Sequence, residues 1–271
     1  ISKISADHPG RMDFNISGGK DSRAVLALQL LAGTEKEVES FTYDPDSFKV
    51  GPARDTIERD LPIALNLAER YGLNWRQPRS SVGVRRSLAR SLDHFQDWRG
   101  GQCFEFSAQL VNWHLADGPR FAFLGGGGEL YRSHFGLHVR NGYRAWGDNV
   151  SLDRRDIRTE LARLFDQMCS SEMIPGTLHD RARSSFVDSL DSGEGRNVLE
   201  TIDTFYPLQR NRYHFGQMRL AAEGGQLVQY PLAQPEFFWA FNTLPDEDRY
   251  GGRLLFDLLQ TADPFLNQLP F

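Results

Sequence analysis

Two adjacent glycines constrain this chain more than any other feature. They stand in Ser17-Gly18-Gly19-Lys20-Asp21-Ser22. Before them runs Met12-Asp13-Phe14-Asn15-Ile16, short and strand-like. After them runs Arg23-Ala24-Val25-Leu26-Ala27-Leu28-Gln29-Leu30-Leu31, a run of good helix formers that Gly33 is expected to end. The order is strand, glycine-rich turn, helix. Paired glycines let the backbone bend tightly and approach a ligand closely. The first N–H groups of a helix have no partner inside it, so they favour an anion. Ser17 and Ser22 are expected to add hydroxyl donors. Asp21 would repel phosphate on its own, and makes sense as a ligand for a bridging Mg²⁺. The run is not G-x-x-x-x-G-K-[ST], because Asp21 follows Lys20 and Phe14 stands where the first glycine belongs.

The rest of the chain fits an α/β reading. Its 271 residues allow one large domain or two small ones. Val38–Tyr43 reads as a second strand, broken by Asp44-Pro45-Asp46, and Thr42 at its end falls on the same sheet rim as the glycine turn. Asp60–Gly72 reads as a helix with Asp60 as N-cap, Pro62 in the first turn, and Leu61, Ala64, Leu65 and Ala68 on one face. Asn74–Gln77 is a third strand. Residues 79–91, rich in Arg and Ser, read best as a solvated stretch, and Phe104–Leu115 as a buried helix. Arg120–Leu124 is a fourth strand that runs into Gly125-Gly126-Gly127-Gly128-Glu129-Leu130. Bare backbone returns to the rim there, with a carboxylate suited to Mg²⁺ or to base chemistry. From about residue 153 the pattern turns helical, over 157–168, 178–190, 198–222, 235–241 and 253–259. We expect a mostly parallel sheet in residues 1–150 and a helical lobe in 151–271, packed as one domain.

Composition narrows the partners. The formal charge is −5, and no basic face marks a nucleic-acid binder. No apolar run reaches membrane-spanning length and no signal peptide is visible, so no membrane partner is expected. Cys103 and Cys169 form no C-x-x-C pair and read as free thiols in a reducing, cytoplasmic setting. His134 and His138 are four apart, weak grounds for zinc. The chain begins at Ile1 and is read as a domain or processed piece of something longer.

The first turn resembles the PP-loop, S-G-G-x-D-S, of the ATP pyrophosphatases. With the second turn, the resemblance narrows to the asparagine synthetase-like group, which includes β-lactam synthetases and lasso-peptide cyclases. It covers residues 12–130 well and 200–260 loosely. It implies ATP and Mg²⁺, cleavage between the α and β phosphates, adenylation of a substrate carboxylate, and amide formation with an amine or ammonia. It implies that Ser17, Gly18, Gly19 and Ser22 cradle pyrophosphate, that Thr42 and Gly125, Gly126 and Gly127 border the nucleotide, and that Asp21 and Glu129 hold Mg²⁺. Lys20 fills the variable slot near the reacting phosphates.

Two departures stand out. The group's second turn reads S-G-E-G-A-D-E-L, with a metal Asp followed by a catalytic Glu. Aligned on glycines, Glu129 takes the metal position and Leu130 the catalytic one. Aligned on Glu-Leu, Glu129 is catalytic and Gly128 replaces the metal Asp. The first alignment matches Gly125 and Gly127 and is preferred. The group also keeps a late lysine near pyrophosphate, whereas the only lysines here are Lys3, Lys20, Lys36 and Lys49. Arg253 is the candidate substitute, although Arg and Lys are not equivalent at such sites. Arg210 and Arg212 resemble the basic helix lining the group's substrate side, and read equally well as surface arginines. No glutaminase half is present in the sequence. Ammonia would then come from a separate supplying or substrate-presenting protein, or the acceptor is an amine on the substrate. Rival expectations are another adenylating PP-loop enzyme, and a nucleotide-binding subunit without turnover.

Overall fold

The computed structural model describes residues 2–8, 10, 12–43, 45, 52–76, 120–131, 156–169, 175–190, 201, 203–204, 226–245, 248–249 and 251–270. The expectations for 77–91, 104–115, 134, 138, 205–222 and Cys103 lie outside them.

Five strands form one all-parallel sheet, as the α/β reading expects: β1 (Met12–Asn15), β2 (Glu39–Phe41), β3 (Asn74–Trp75), β4 (Arg120–Phe123) and β5 (Gln226–Gln229). Their spatial order is β3-β2-β1-β4-β5. In β1 the period of two is plain. Met12, Phe14 and Ile16 are fully buried in the main core, and Asp13 points to the other face. Register follows, with Asp13 beside Glu39 and Ala122, and Phe14 beside Ser40 and Phe123. Arg76 pairs with Glu39 at 3.1 Å and with the buried Asp13 at 3.5 Å. β5 comes from a stretch expected to lead only into helices, so the sheet draws on both halves of the chain.

Helix α1 (Ser2–Asp7) precedes β1, and α2 (Lys20–Ala32) follows it. Gly33 closes α2 at φ 65°. Its N–H donates to the Leu30 carbonyl, and the Thr34 N–H to that of Gln29. α3 runs from Pro52 to Tyr71, eight residues earlier than expected from Asp60. Pro62 therefore lies inside the helix and removes one ladder hydrogen bond. Burial of Ala64, Leu67 and Ala68 offsets that loss, each buried large side chain contributing about 1.5–3 kcal/mol. The buried stripe includes Leu67, while Leu65, expected inside, is 40% exposed.

Beyond the sheet's first four strands come α4 (Ile157–Met168) and α5 (Gly176–Leu190), packed on each other. Asp156 caps α4 by accepting from the Arg158 N–H. After β5, α6 (Pro235–Asn242) buries Phe241 and leaves Phe238 and Trp239 outward, so that apolar helix is only half core. α7 (Arg253–Ala262) lies along α2 and buries Leu255 and Leu259, and α8 (Phe265–Gln268) seals the same core with Leu266.

Candidate functional site

Strand order places the site. From β1 the chain moves outward to β2 and β3, then reappears on the other side of β1 at β4. In parallel sheets such a reversal opens a crevice beyond the carboxyl ends of the two inner strands. Those strands are β1 and β4, and the segments leaving them are Ile16–Gly19 and Leu124–Gly128, the two glycine turns. The turns are over a hundred positions apart in sequence and touch here.

The first turn is braced by its own serines. The Ser22 hydroxyl accepts from the Ser17 N–H (3.2 Å) and lies 2.9 Å from the Ser17 carbonyl, 3.0 Å from the Gly19 carbonyl and 3.0 Å from Ser17 Oγ. Ser17 Oγ also accepts from the Gly19 N–H at 3.1 Å. Both hydroxyls, expected to face phosphate, are turned into the loop. They hold the loop's shape and leave the backbone N–H groups of the first helical turn as the donors that an anion could meet there. The Ile16 N–H donates to the Phe41 carbonyl at 2.9 Å, which brings the buried Thr42 alongside the start of the turn.

The contacts around the glycines are close. A Cβ on Gly125 would stand 2.8 Å from the Ser22 nitrogen and 2.9 Å from the Asp21 carbonyl carbon. A Cβ on Gly128 would run into the Asp21 carboxylate. A Cβ on Gly18 would meet Ile63 at 2.9 Å and Asp60 at 3.1 Å. Gly127 has φ 95° and packs on Ala233, fixing the bend that leads into the short 3-10 turn Gly128–Tyr131. The Tyr131 hydroxyl donates to the Leu232 carbonyl and locks that turn to the core, and burial pushes its pKa up.

The turns bring the Asp21 carboxylate against Gly128, the residue before Glu129. Among the described residues no three His, Cys, Asp or Glu side chains gather as a metal cage. Two carboxylates nevertheless suit Mg²⁺, which commonly takes one or two of them and fills its shell with phosphate oxygens and water. Lys20 is exposed at the start of α2. Arg253 is exposed on α7 and pairs with Asp257 one turn on, at 2.8 Å, an arrangement that does not join it to the glycine turns. Helix-surface pairs of this kind contribute little stability.

Two residues beside the turn carry more than the sequence reading gave them. Asp60, read as an N-cap, sits mid-helix against Gly18. Arg23, read as a helix former, is completely buried, and burial lowers its pKa to about 10, with Asp60 acting in the opposite direction. It stays charged at neutral pH. A cation directly before the apolar run Ala24-Val25-Leu26-Ala27 is the signal that could have found it.

No protein-family model matches the chain, and no curated protein matches it in sequence.

Proposed function

We propose that this chain is an ATP-dependent, AMP-forming carbon–nitrogen ligase of the asparagine synthetase-like kind. The observation that carries the reading is the meeting of two glycine turns at the sheet's reversal point, with the Asp21 carboxylate pressed against the second turn. A bare-backbone crevice at a helix N-terminus suits a polyphosphate. Two carboxylates on its rim suit the divalent cation that accompanies one. Gly18, Gly19 and the first-turn N–H groups of α2 receive the phosphates. Ser17 and Ser22 hold those groups in place, and Thr42 and Gly125–Gly127 border the nucleotide. Mg²⁺, held by Asp21 and Glu129 when bound, supplies charge neutralisation between the phosphates.

In the proposed reaction a substrate carboxylate oxygen attacks the α-phosphorus of ATP and pyrophosphate departs. An amine or ammonia then attacks the acyl carbon and releases AMP. The chain's own residues orient the phosphates and shield the turn from water. Lys20, at the mouth of α2, supplies positive charge toward the leaving phosphates, a role of the kind preorganised cations play. A cytoplasmic setting, with ATP at hand, goes with this reading.

The test is ATP–pyrophosphate exchange with Mg²⁺ across a panel of carboxylic acids, comparing the protein with Asp21→Asn. Exchange that depends on one acid and falls at least about a hundredfold in Asp21→Asn supports adenylation. ATP binding without exchange for any acid would replace this reading with a binding subunit. No ATP binding would end it.

A further inference from the structure

We propose that Arg23 is a positioning residue that ties segment 263–270 to the phosphate turn and balances the carboxylate lying behind that turn. The inference rests on the ATP reading above, and adds to it a second layer that the turn depends on.

Arg23 is the fourth residue of α2 and the largest fully buried side chain among the described residues. Its Nη1 donates to the Leu266 carbonyl at 2.7 Å and to the Leu269 carbonyl at 3.2 Å, and its Nη2 to the Pro270 carbonyl at 3.3 Å. A planar guanidinium can serve three carbonyls from one fork, which an ammonium on a flexible stem cannot. The carbonyls accept from its Nη groups without neutralising its charge. Asp60, only 14% exposed and also paired with the exposed Arg59 at 3.5 Å, is a carboxylate whose charge acts on it. That same carboxylate stands 3.1 Å from where a Cβ of Gly18 would be. A negative group thus lies against the turn proposed to receive an anion, and the buried Arg23 offsets it together with Arg59.

The carbonyl segment is also anchored at its other end. Asp263 accepts from the Tyr71 hydroxyl at 2.9 Å and from Arg70 at 3.3 Å, and the Arg70 guanidinium lies 4.0 Å over the Phe265 ring. Segment 263–270 therefore bridges the end of α3 and the first turn of α2. These two helices flank Gly18, with Ile63 and Asp60 on one side and the turn itself on the other. Loss of the guanidinium would free the segment and leave Asp60 offset only by the exposed Arg59, so that more of its charge repels the incoming anion.

The experiment measures Mg-ATP and inorganic pyrophosphate binding by calorimetry for the wild-type protein, Arg23→Met, Arg23→Lys, Asp60→Asn and the Arg23→Met/Asp60→Asn double variant. Arg23→Met should weaken both anions on the order of tenfold. Arg23→Lys should fall between it and wild type. Adding Asp60→Asn to Arg23→Met should recover about threefold or more, which lost packing alone would not allow. Wild-type affinity in folded Arg23→Met, or no recovery in the double variant, overturns the proposal. If Arg23→Met does not fold, hydrogen exchange of Asp263→Ala decides: faster exchange at amides 18–22 supports the tie, and a change confined to 263–270 refutes it. A wild-type protein that binds neither anion overturns the ATP reading, while the exchange measurement still decides the tie.

Discussion

Gly125→Ala isolates the contact on which the site rests. The added methyl would stand 2.8 Å from the Ser22 nitrogen and 2.9 Å from the Asp21 carbonyl carbon. Both atoms are backbone, so no side chain can swing away. Either the second turn or the first turn of α2 must move by about half an ångström, and overpacking of this kind costs about 1–3 kcal/mol. Replacing Gly by Ala also stiffens the unfolded chain, which offsets about 0.4–1 kcal/mol. Gly176→Ala supplies the control: Gly176 opens α5, and a Cβ there meets nothing within 4 Å. Subtracting the control removes the unfolded-state contribution and leaves the clash. For a chain of this size each kcal/mol moves the melting point by about 2–4 °C. Gly125→Ala should therefore melt roughly 2–12 °C below Gly176→Ala in parallel thermal scans. It should also lose pyrophosphate affinity, because the Ser22 N–H is displaced. Coincident melting curves for the two variants would refute the packing of one turn against the other, and with it the shared site.

Two further outcomes follow from the same geometry. Ser22→Ala removes the acceptor of the Ser17 N–H and the brace across the turn, and should cost about 1–3 kcal/mol in urea unfolding while raising hydrogen exchange at residues 17–19. The Asp263 carboxyl is held below its ordinary range, first by the Phe265 N–H and then by Tyr71 and Arg70. A depressed carboxyl stabilises the fold above its unfolded pKa near 3.9 and loses that contribution as pH falls through the folded value. The stability gap between wild type and Asp263→Asn should be open at neutral pH and close as pH falls below the ordinary carboxylate range, and a gap that does not change with pH would refute the pairing.

Local features were legible in the sequence, and long-range ones were not. The strand–turn–helix of residues 12–32 follows from Gly18-Gly19 flanked by an apolar pentapeptide and a run of helix formers, and its end at Gly33 from the need for a left-handed residue. The limits of α4 could be read because Asp156 caps an amphipathic run. The start of α3 could not, since Pro62 and Asp60 carry the local marks of a helix beginning, whereas the helix begins at Pro52 and its residues 54–60 are exposed or half-buried, with no buried stripe to mark them. β5 was missed because Gln226-Leu227-Val228-Gln229 is short and half polar, and becomes a strand by pairing with β4. Asp21 and the two turns could be singled out by chemistry. Arg23 could not be given its partners, which lie more than two hundred positions away.

The distance between the two turns in sequence explains why each needs so much glycine. A turn that meets only solvent tolerates side chains. Here the β1 turn has α3 on one side, through Ile63 and Asp60 against Gly18, and the β4 turn on the other, through Gly125 against the backbone of Asp21 and Ser22. The β4 turn in turn has Ala233 against Gly127 and the Asp21 carboxylate against Gly128. These four glycines thus face three separate segments of the chain: α3 at Gly18, the start of α2 at Gly125 and Gly128, and Ala233 at Gly127. Closeness of this order leaves no room for side chains where the two turns meet. On the reading proposed above, backbone donors and the carboxylates of Asp21 and Glu129 would share a metal-bound polyphosphate there. The strand order dictates the meeting, and the glycines make the meeting sterically possible.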